Sequence, residues 1–284
     1  MKTLAARTRP NLIAMLILFV GAVYCLYPAL WIVIASTKSG TELFSTPTAI
    51  PSFNGGFFQN ISDLMSYENG VFGSWMLNSA IYAGGGGAVS TIVAAAAGYA
   101  LAKYRFRGSN LIFGLIVGGV LLPQIILAIP QYLLMAQVQL TNSHWAVILP
   151  LLASPYATYL CKIYAEASVP DEVMESARLD GASEWRIFTA IGIRLMSPAL
   201  VTVFLLQFIA IWNNFLLPFI MLTDHTKFPL TLGLFTLLQA GGNKAASYGM
   251  TIMGTLIAII PVLALFLSLQ KFWRIDLLSG GVKA

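Results

Sequence analysis

Leu12-Ile-Ala-Met-Leu-Ile-Leu-Phe-Val-Gly-Ala-Val-Tyr-Cys-Leu-Tyr-Pro-Ala-Leu-Trp-Ile-Val-Ile-Ala-Ser36 carries no charged side chain from end to end. A helix rises ~1.5 Å per residue and a bilayer's hydrocarbon core is ~30 Å thick, so about 20 apolar residues can cross it. This stretch is long enough. Lys2, Arg7 and Arg9 precede it as in a secretory signal, but the run is too long for a signal core and no small-x-small site closes it. It reads as an uncleaved membrane helix.

Five further apolar stretches follow, at about 75–102, 111–136, 145–164, 198–222 and 248–269, uncharged but for Lys162 near the end of the 145–164 stretch. The whole chain is 58% hydrophobic and 10% charged, against about 25% charged in soluble domains. So little charge cannot cover a water-facing surface, and lipid must be the main solvent. The net charge of +5 does not point to nucleic acid, because no Lys/Arg run exists and the basic residues flank the spans.

Their distribution predicts orientation. Lys2, Arg7, Arg9, Lys103, Arg105, Arg107, Lys162, Arg178, Arg186, Arg194, Lys271, Arg274 and Lys283 fall on one side of six alternating spans; Lys38, Lys227 and Lys244 fall on the other. By the positive-inside rule both termini are cytoplasmic. The expectation is an all-α polytopic membrane protein: one domain over 1–284, six transmembrane helices, a polar outer segment (37–74), a short outer turn (138–144) and a charged cytoplasmic segment (165–197).

Several chemistries find no support. Cys25 and Cys161 lie in apolar stretches without disulfide or metal-ligand spacing and read as small core or lipid-facing residues. His144 and His225 sit near outer loop edges with no ligand partner in sequence, so both read as solvated and no metal site is expected. Asn60-Ile61-Ser62 has the form of a glycosylation acceptor but carries little weight. No Gly-x-x-x-x-Gly-Lys-Ser/Thr loop occurs; Gly84–Gly87 lies within a span, lacks the lysine, and reads as a site of close helix approach. Catalytic residues, an enzyme activity and a bound cofactor are therefore not expected in this chain.

The cytoplasmic segment is patterned. Ser168-Val-Pro-Asp-Glu-Val-Met-Glu-Ser-Ala-Arg-Leu-Asp-Gly-Ala-Ser-Glu-Trp-Arg-Ile-Phe188 offers Ser168 as an N-cap, Pro170 for a first turn, and Asp171 and Glu172 for the positive end of a helix dipole. Gly181 can take the left-handed conformation that ends the helix, and Ser183 can cap a second short helix. Val173, Ala177 and Asp180 share a face, with Ser176 and Ala177 small enough for a close partner. Residue chemistry alone leaves two readings open: a projecting helical pair, or an amphipathic interfacial loop.

Glu175-Ser-Ala-Arg-Leu-Asp-Gly181-Ala-Ser183, followed by Phe188 and Pro198, resembles the EAA signature of ABC importer permeases. Trp75-Met-Leu-Asn78-Ser79 resembles that family's entry to the second span, and Tyr99-Ala-Leu-Ala-Lys-Tyr-Arg-Phe-Arg-Gly108 its exit. Trp212-Asn-Asn-Phe-Leu-Leu-Pro218, Phe228-Pro-Leu-Thr-Leu-Gly233 and the closing Gly280-Gly-Val-Lys-Ala284 are similar to the carbohydrate-uptake branch, in particular its maltose-type second permease. Three positions depart from the pattern: Ser176 replaces the second alanine, Arg194 stands where a proline is usual, and Phe272–Asp276 is less typical.

The resemblance implies an inner-membrane, binding-protein-dependent transport subunit. Its partners would be a second permease, two ATP-binding subunits that hold ATP and magnesium, and an extracytoplasmic solute-binding protein. Glu175, Ser176, Ala177, Asp180, Gly181 and Ala182 would form the coupling element seated in an ATPase cleft, whose closure rocks the spans from inward- to outward-facing. For the solute path, Gln124, Gln131, Gln207, Asn213 and Asn214, with Trp212, Tyr132 and Phe215, suit a neutral polyhydroxylated solute; the competing reading is interhelical hydrogen bonding. Pro123, Pro130 and Pro218 hint at a cavity beside the third and fifth spans. Glycerol phosphate or a polyamine is an alternative solute. A stand-alone secondary transporter would show internal repeats or ionisable midplane residues, and a membrane enzyme a catalytic cluster; the spans carry neither.

Overall fold

The computed structural model describes residues 12–242 and 244–279, with side chains as far as Phe272. Lys2, Arg7, Arg9, Lys283 and the Gly280–Ala284 motif lie outside the described residues, as do the side chains of Trp273–Asp276. The described residues are helical and contain no strand. Contacts divide the chain into two units, Met1–Ser66 with Leu237–Ile257 and Tyr67–Thr236 with Ala258–Ala284.

Among the described residues, five helices are long and apolar enough to span a membrane: Leu12–Ser36, Val71–Lys103, His144–Ser168, Glu184–Trp212 and Ala245–Phe272. A sixth span exists if Ser109–Leu121 and Gln124–Gln137 count together, and these two meet at a bend of 108°. We label α1 Leu12–Ser36, α2 Gly56–Ser66, α3 Val71–Lys103, α4 Ser109–Leu121, α5 Gln124–Gln137, α6 His144–Leu152, α7 Pro155–Ser168, α8 Asp171–Leu179, α9 Glu184–Trp212, α10 Leu216–Met221, α11 Leu230–Ala240 and α12 Ala245–Ser279.

Three spans differ from their sequence expectation, each for a backbone reason. The 111–136 stretch breaks because Pro123 pushes Leu122 into an extended conformation (φ −75°, ψ 125°). The 145–164 stretch is interrupted at Ala153-Ser154, after which Ser154 caps α7 by accepting from the Ala157 amide at 3.2 Å. The expected 198–222 span instead begins at Glu184 and stops at Trp212. Beyond Trp212 the backbone leaves the helix through Asn213–Phe215 and restarts as a short helix containing Pro218; Pro218 has no N–H for the Asn214 carbonyl, and the Thr231 hydroxyl donates there at 3.0 Å.

The second unit is built on the pairing of α3 with α7. Ala94, Ala95, Ala157, Cys161 and Ala165 are buried together with Tyr99, Ile187, Met196 and Val203. Gly98 permits the closest approach, since a Cβ there would stand 2.6 Å from the Lys162 amide nitrogen and 2.7 Å from Cys161 Cβ. Small residues at helical spacing let two backbones touch, as they do in membranes. The Gly84–Gly87 run behaves otherwise. Ile81–Gly86 is a π-helical stretch, Gly84 and Gly85 face open space, and only Gly87 meets another backbone, Phe208 at 3.5 Å.

Candidate functional site

The patterned segment forms α8, a glycine turn and the first residues of α9. α8 begins after Pro170, not at Ser168, which ends α7; Val169 is extended because a proline follows it. Gly181 has φ +80°, and the turn carries both bonds of a Schellman motif: the Gly181 amide donates to Arg178 O at 3.0 Å and the Ala182 amide to Ala177 O at 3.0 Å. Ser183 then caps the next helix through the Arg186 amide at 3.4 Å. That helix is no second short piece. It continues through a π-helical stretch, Ile187–Gly192, into the apolar span.

Met174 is buried, and Ala177 and Ala182 pack on the same core, against which Tyr99 and Phe188 also lie. This corrects the expected face: Ala177 points into the chain's own core, while Val173 is exposed. Glu175, Ser176, Asp180 and Gly181 lie outward, flanked by Leu179, 90% exposed, and Trp185, 71% exposed. Charges brace the turn. Arg178 Nε and Nη2 donate to the two Glu184 carboxylate oxygens at 2.7 and 3.2 Å, and Tyr104 OH donates to Glu184 at 2.9 Å. Lys103 pairs with Asp171 at 2.9 Å, and this hydrogen bond holds the Asp171 carboxyl below its ordinary range. The Glu184 carboxylate, as a hydrogen-bond acceptor, raises the Arg178 guanidinium's affinity for its proton.

The predicted path residues converge in part. A cavity of about 250 Å³ is lined by Gln124, Gln131, Gln207 and Asn214, with Ser154, Tyr156 and apolar residues, and no charged side chain lines it. It borders all three helix breaks, at 122–123, 153–154 and 213–215. Irregular backbone at membrane depth is tolerated where it lines a cavity or is buried in protein. Gln207 also fulfils the competing reading, since its Nε2 donates to Ser154 Oγ at 3.1 Å and its Oε1 accepts from Ser90 at 3.5 Å. Asn214 caps α10 through the Leu217 amide.

Asn213 and Trp212 do not line it. The Asn213 side chain turns back to Ile209 O, and Trp212 is buried in a stack on Phe208. Phe215 stacks on Phe219, and Tyr132 is absent from the lining, so Tyr156 is the aromatic residue at the cavity. Ser154 and Tyr156 were missed. The Ser154-Pro155 pair inside an apolar run is an N-cap and N1 signature that could have revealed them.

Two further stretches, Trp75–Ser79 and Phe228–Gly233, turn out to be partners. Trp75 Nε1 donates to His225 O at 2.8 Å, Asn78 Nδ2 to Thr226 O and Phe228 O at 2.8 and 3.1 Å, and Tyr82 OH to Lys227 O at 2.9 Å. Ser79 accepts from the Leu230 amide at 2.7 Å. His144 is only partly solvated: its Nε2 meets Asn78 Oδ1 at 3.2 Å and donates, because that oxygen can only accept. His225 stays exposed, 3.4 Å from Glu68.

Residues 90–273 match the family model described as "Binding-protein-dependent transport system inner membrane component". The chain belongs to that family. It is 34% identical to the arabinooligosaccharides transport system permease protein AraQ of Halalkalibacterium halodurans, over 92% of each chain. It is 28% identical to the lactose transport system permease protein LacG of Rhizobium radiobacter, over 100% of each. A crystal structure of a bacterial ABC transporter involved in import of the acidic polysaccharide alginate superposes with a TM-score of 0.80 at 23% identity, covering 92% of this chain and 95% of that one, which establishes the shared fold. As a member of the family, the chain is a multi-pass inner-membrane transport component.

Proposed function

We propose that this chain is the permease subunit of an ATP-driven importer for a neutral di- or oligosaccharide. The observation that carries the solute class is the cavity: four amide side chains meet in a space without charged lining, at three breaks in the helices. Amides bond hydroxyls in either sense, as donor and as acceptor. A phosphorylated or polyamine solute would call for a charged partner there, and the transport names of the sugar-handling relatives favour the same side.

In this reading the chain is one membrane domain over 1–284 with six spans, α4 and α5 forming a single broken one, and both termini are cytoplasmic. The 165–197 segment faces two ATP-binding subunits, which hold ATP and magnesium. A second permease completes the channel and an extracytoplasmic binding protein delivers the solute. Glu175, Ser176, Asp180 and Gly181 present the docking face; Ala177 and Ala182 fasten the turn to the core, so that a push on α8 moves α3, α7 and α9 with it.

The test is solute-stimulated ATP hydrolysis by the reconstituted complex. Gly181→Pro cannot hold φ +80° and lacks the amide that donates to Arg178 O. The expected result is an assembled complex that hydrolyses no extra ATP when a disaccharide-loaded binding protein is added. Wild-type stimulation by that variant would overturn the coupling role; stimulation only by a charged solute would overturn the solute class.

A further inference from the structure

The loop between α1 and α2 ties up both of its charges in hydrogen bonds while its large apolar groups stand exposed. It carries two charges, Lys38 and Glu42. Lys38 is 2% exposed, and its Nζ donates to Thr46 Oγ1 at 3.0 Å and to Pro47 O at 2.5 Å. Glu42 accepts from the Ser39 amide at 2.9 Å, Ser52 Oγ at 3.1 Å and Asn54 Nδ2 at 2.7 Å. Those donors, Asn54 first, hold its carboxyl down at about 2. The Ser52 amide donates to Thr37 Oγ1 at 2.9 Å, and Asn60 of α2 donates to Lys38 O at 2.8 Å, closing the loop on the end of α1.

With both charges engaged in hydrogen bonds, the large side chains facing out are Phe44, Ile50 and Phe53 of the loop and Phe58 in the first turn of α2, 70%, 61%, 92% and 76% exposed. A loop that stands in water ordinarily has the opposite arrangement, with charges out and large apolar groups covered. The medium that suits this one begins about one helical turn before it. α1 exposes apolar side chains from Leu12 as far as Val33, with Ala35 and Ser36 buried, so the bilayer surface reaches to about one helical turn from the loop.

We propose that this loop is an interfacial membrane anchor. Phe44, Ile50 and Phe53, with Phe58 of the adjoining first turn of α2, enter the boundary between lipid headgroups and acyl chains, while the Lys38 and Glu42 networks keep every charge of the loop out of it. Elements of this kind sit ~5–10 Å deep in the boundary region. The anchor fixes the level of α1 in the bilayer and is independent of the transported solute.

The test places a nitroxide at Phe53→Cys, and separately at Ile50→Cys, in the full chain assembled with its partner subunits in nanodiscs of phosphatidylethanolamine and phosphatidylglycerol. Cys25→Ser removes the exposed native thiol, and Cys161 is buried. Power saturation then compares access to oxygen, which partitions into lipid, with access to a water-soluble nickel chelate. Leu26→Cys in α1 supplies the lipid reference. The proposal expects oxygen access to exceed nickel access at both loop positions. Dominant nickel access would place the loop in water; an immobilised label reached by neither reagent would place it against a protein partner. Either result overturns the anchor, and two surface positions keep the outcome clear of one badly folding variant.

Discussion

Helices α3 and α7 meet backbone to backbone toward the α8 turn, whereas the helix segments around the cavity are held apart by side chains. In the first region Ala94, Ala95 and Gly98 face Ala157, Cys161 and Ala165, and the contact is apolar with no room for an added methyl at Gly98. In the second the helices break, Ser154 and Asn214 recap them, and Gln207 bridges the gap by hydrogen bonds. A close-packed body moves as one piece, because interiors packed to this density transmit displacement with little deformation. Broken helices around a cavity can change their angles. The chain thus joins a stiff part, fastened to an exposed turn, to a pliable part that encloses polar space.

The largest effect should come from attacking the stiff part. Gly98→Leu drives a side chain into the α7 backbone, and overpacking of this kind costs ~1–3 kcal/mol or more. The expected outcome is loss of the monodisperse complex on size exclusion and a marked drop in unfolding temperature. Gly84→Ala is the counterpart, because Gly84 faces open space and a helical Gly→Ala change is favourable by up to ~1 kcal/mol. If both variants behave alike, the stiff body is not where the packing places it.

An intermediate effect separates the two roles of the cavity amides. Gln207→Leu removes the bridge to Ser154 and Ser90, at about 1 kcal/mol for a hydrogen bond between membrane helices, and should lower thermal stability and transport together. Gln131→Leu changes the lining without touching that bridge. It should leave stability unchanged and weaken uptake about tenfold at limiting solute, the equivalent of ~1.4 kcal/mol. Equal loss of stability in both would make the cluster structural and return the solute path to some other surface.

Legibility in the sequence followed the physics that each feature depends on. Spans without charge can be read from composition, and α1 ends at Ser36, where its apolar run gives way to Thr37 and Lys38. The stop at Gly181 was readable because glycine's freedom at positive φ is a local property. Breaks at Leu122-Pro123 and Asn214 were harder, since proline is common in membrane helices and whether it bends one depends on what takes the freed carbonyl; Thr231, distant in sequence, decides it at Asn214. The direction of Ala177 could not be read locally, because helical spacing defines a face and not which neighbour covers it. His144 was misread for the same reason: its partner Asn78 lies far away in the chain.

The smallest effect, and the one that distinguishes the two regions by their electrostatics, lies in two acids, Asp171, exposed, and Asp224, half-buried. Asp171 beside the turn is held below the ordinary carboxylate range first by its hydrogen bond with Lys103 and then by that lysine's charge. Asp224, in the loop that α3 grips, is held at about 2 first by the Thr226 hydroxyl and amide, with Lys227 contributing less. Both bind a proton more weakly folded than unfolded. Each therefore adds stability that is fully present above the unfolded carboxyl value of about 3.9 and is lost as pH falls through the folded value. Unfolding temperatures measured from pH 7 to pH 3 should fall less steeply in Asp171→Asn and in Asp224→Asn than in wild type. Salt then tells them apart: at about 1 M the screening length is ~3 Å, so the Asp171 contribution should fade while that of Asp224, resting on a neutral hydroxyl and an amide, persists. Equal salt sensitivity at the two sites would mean that Lys227, and not Thr226, anchors Asp224, and the loop would then be held by charge as the turn is.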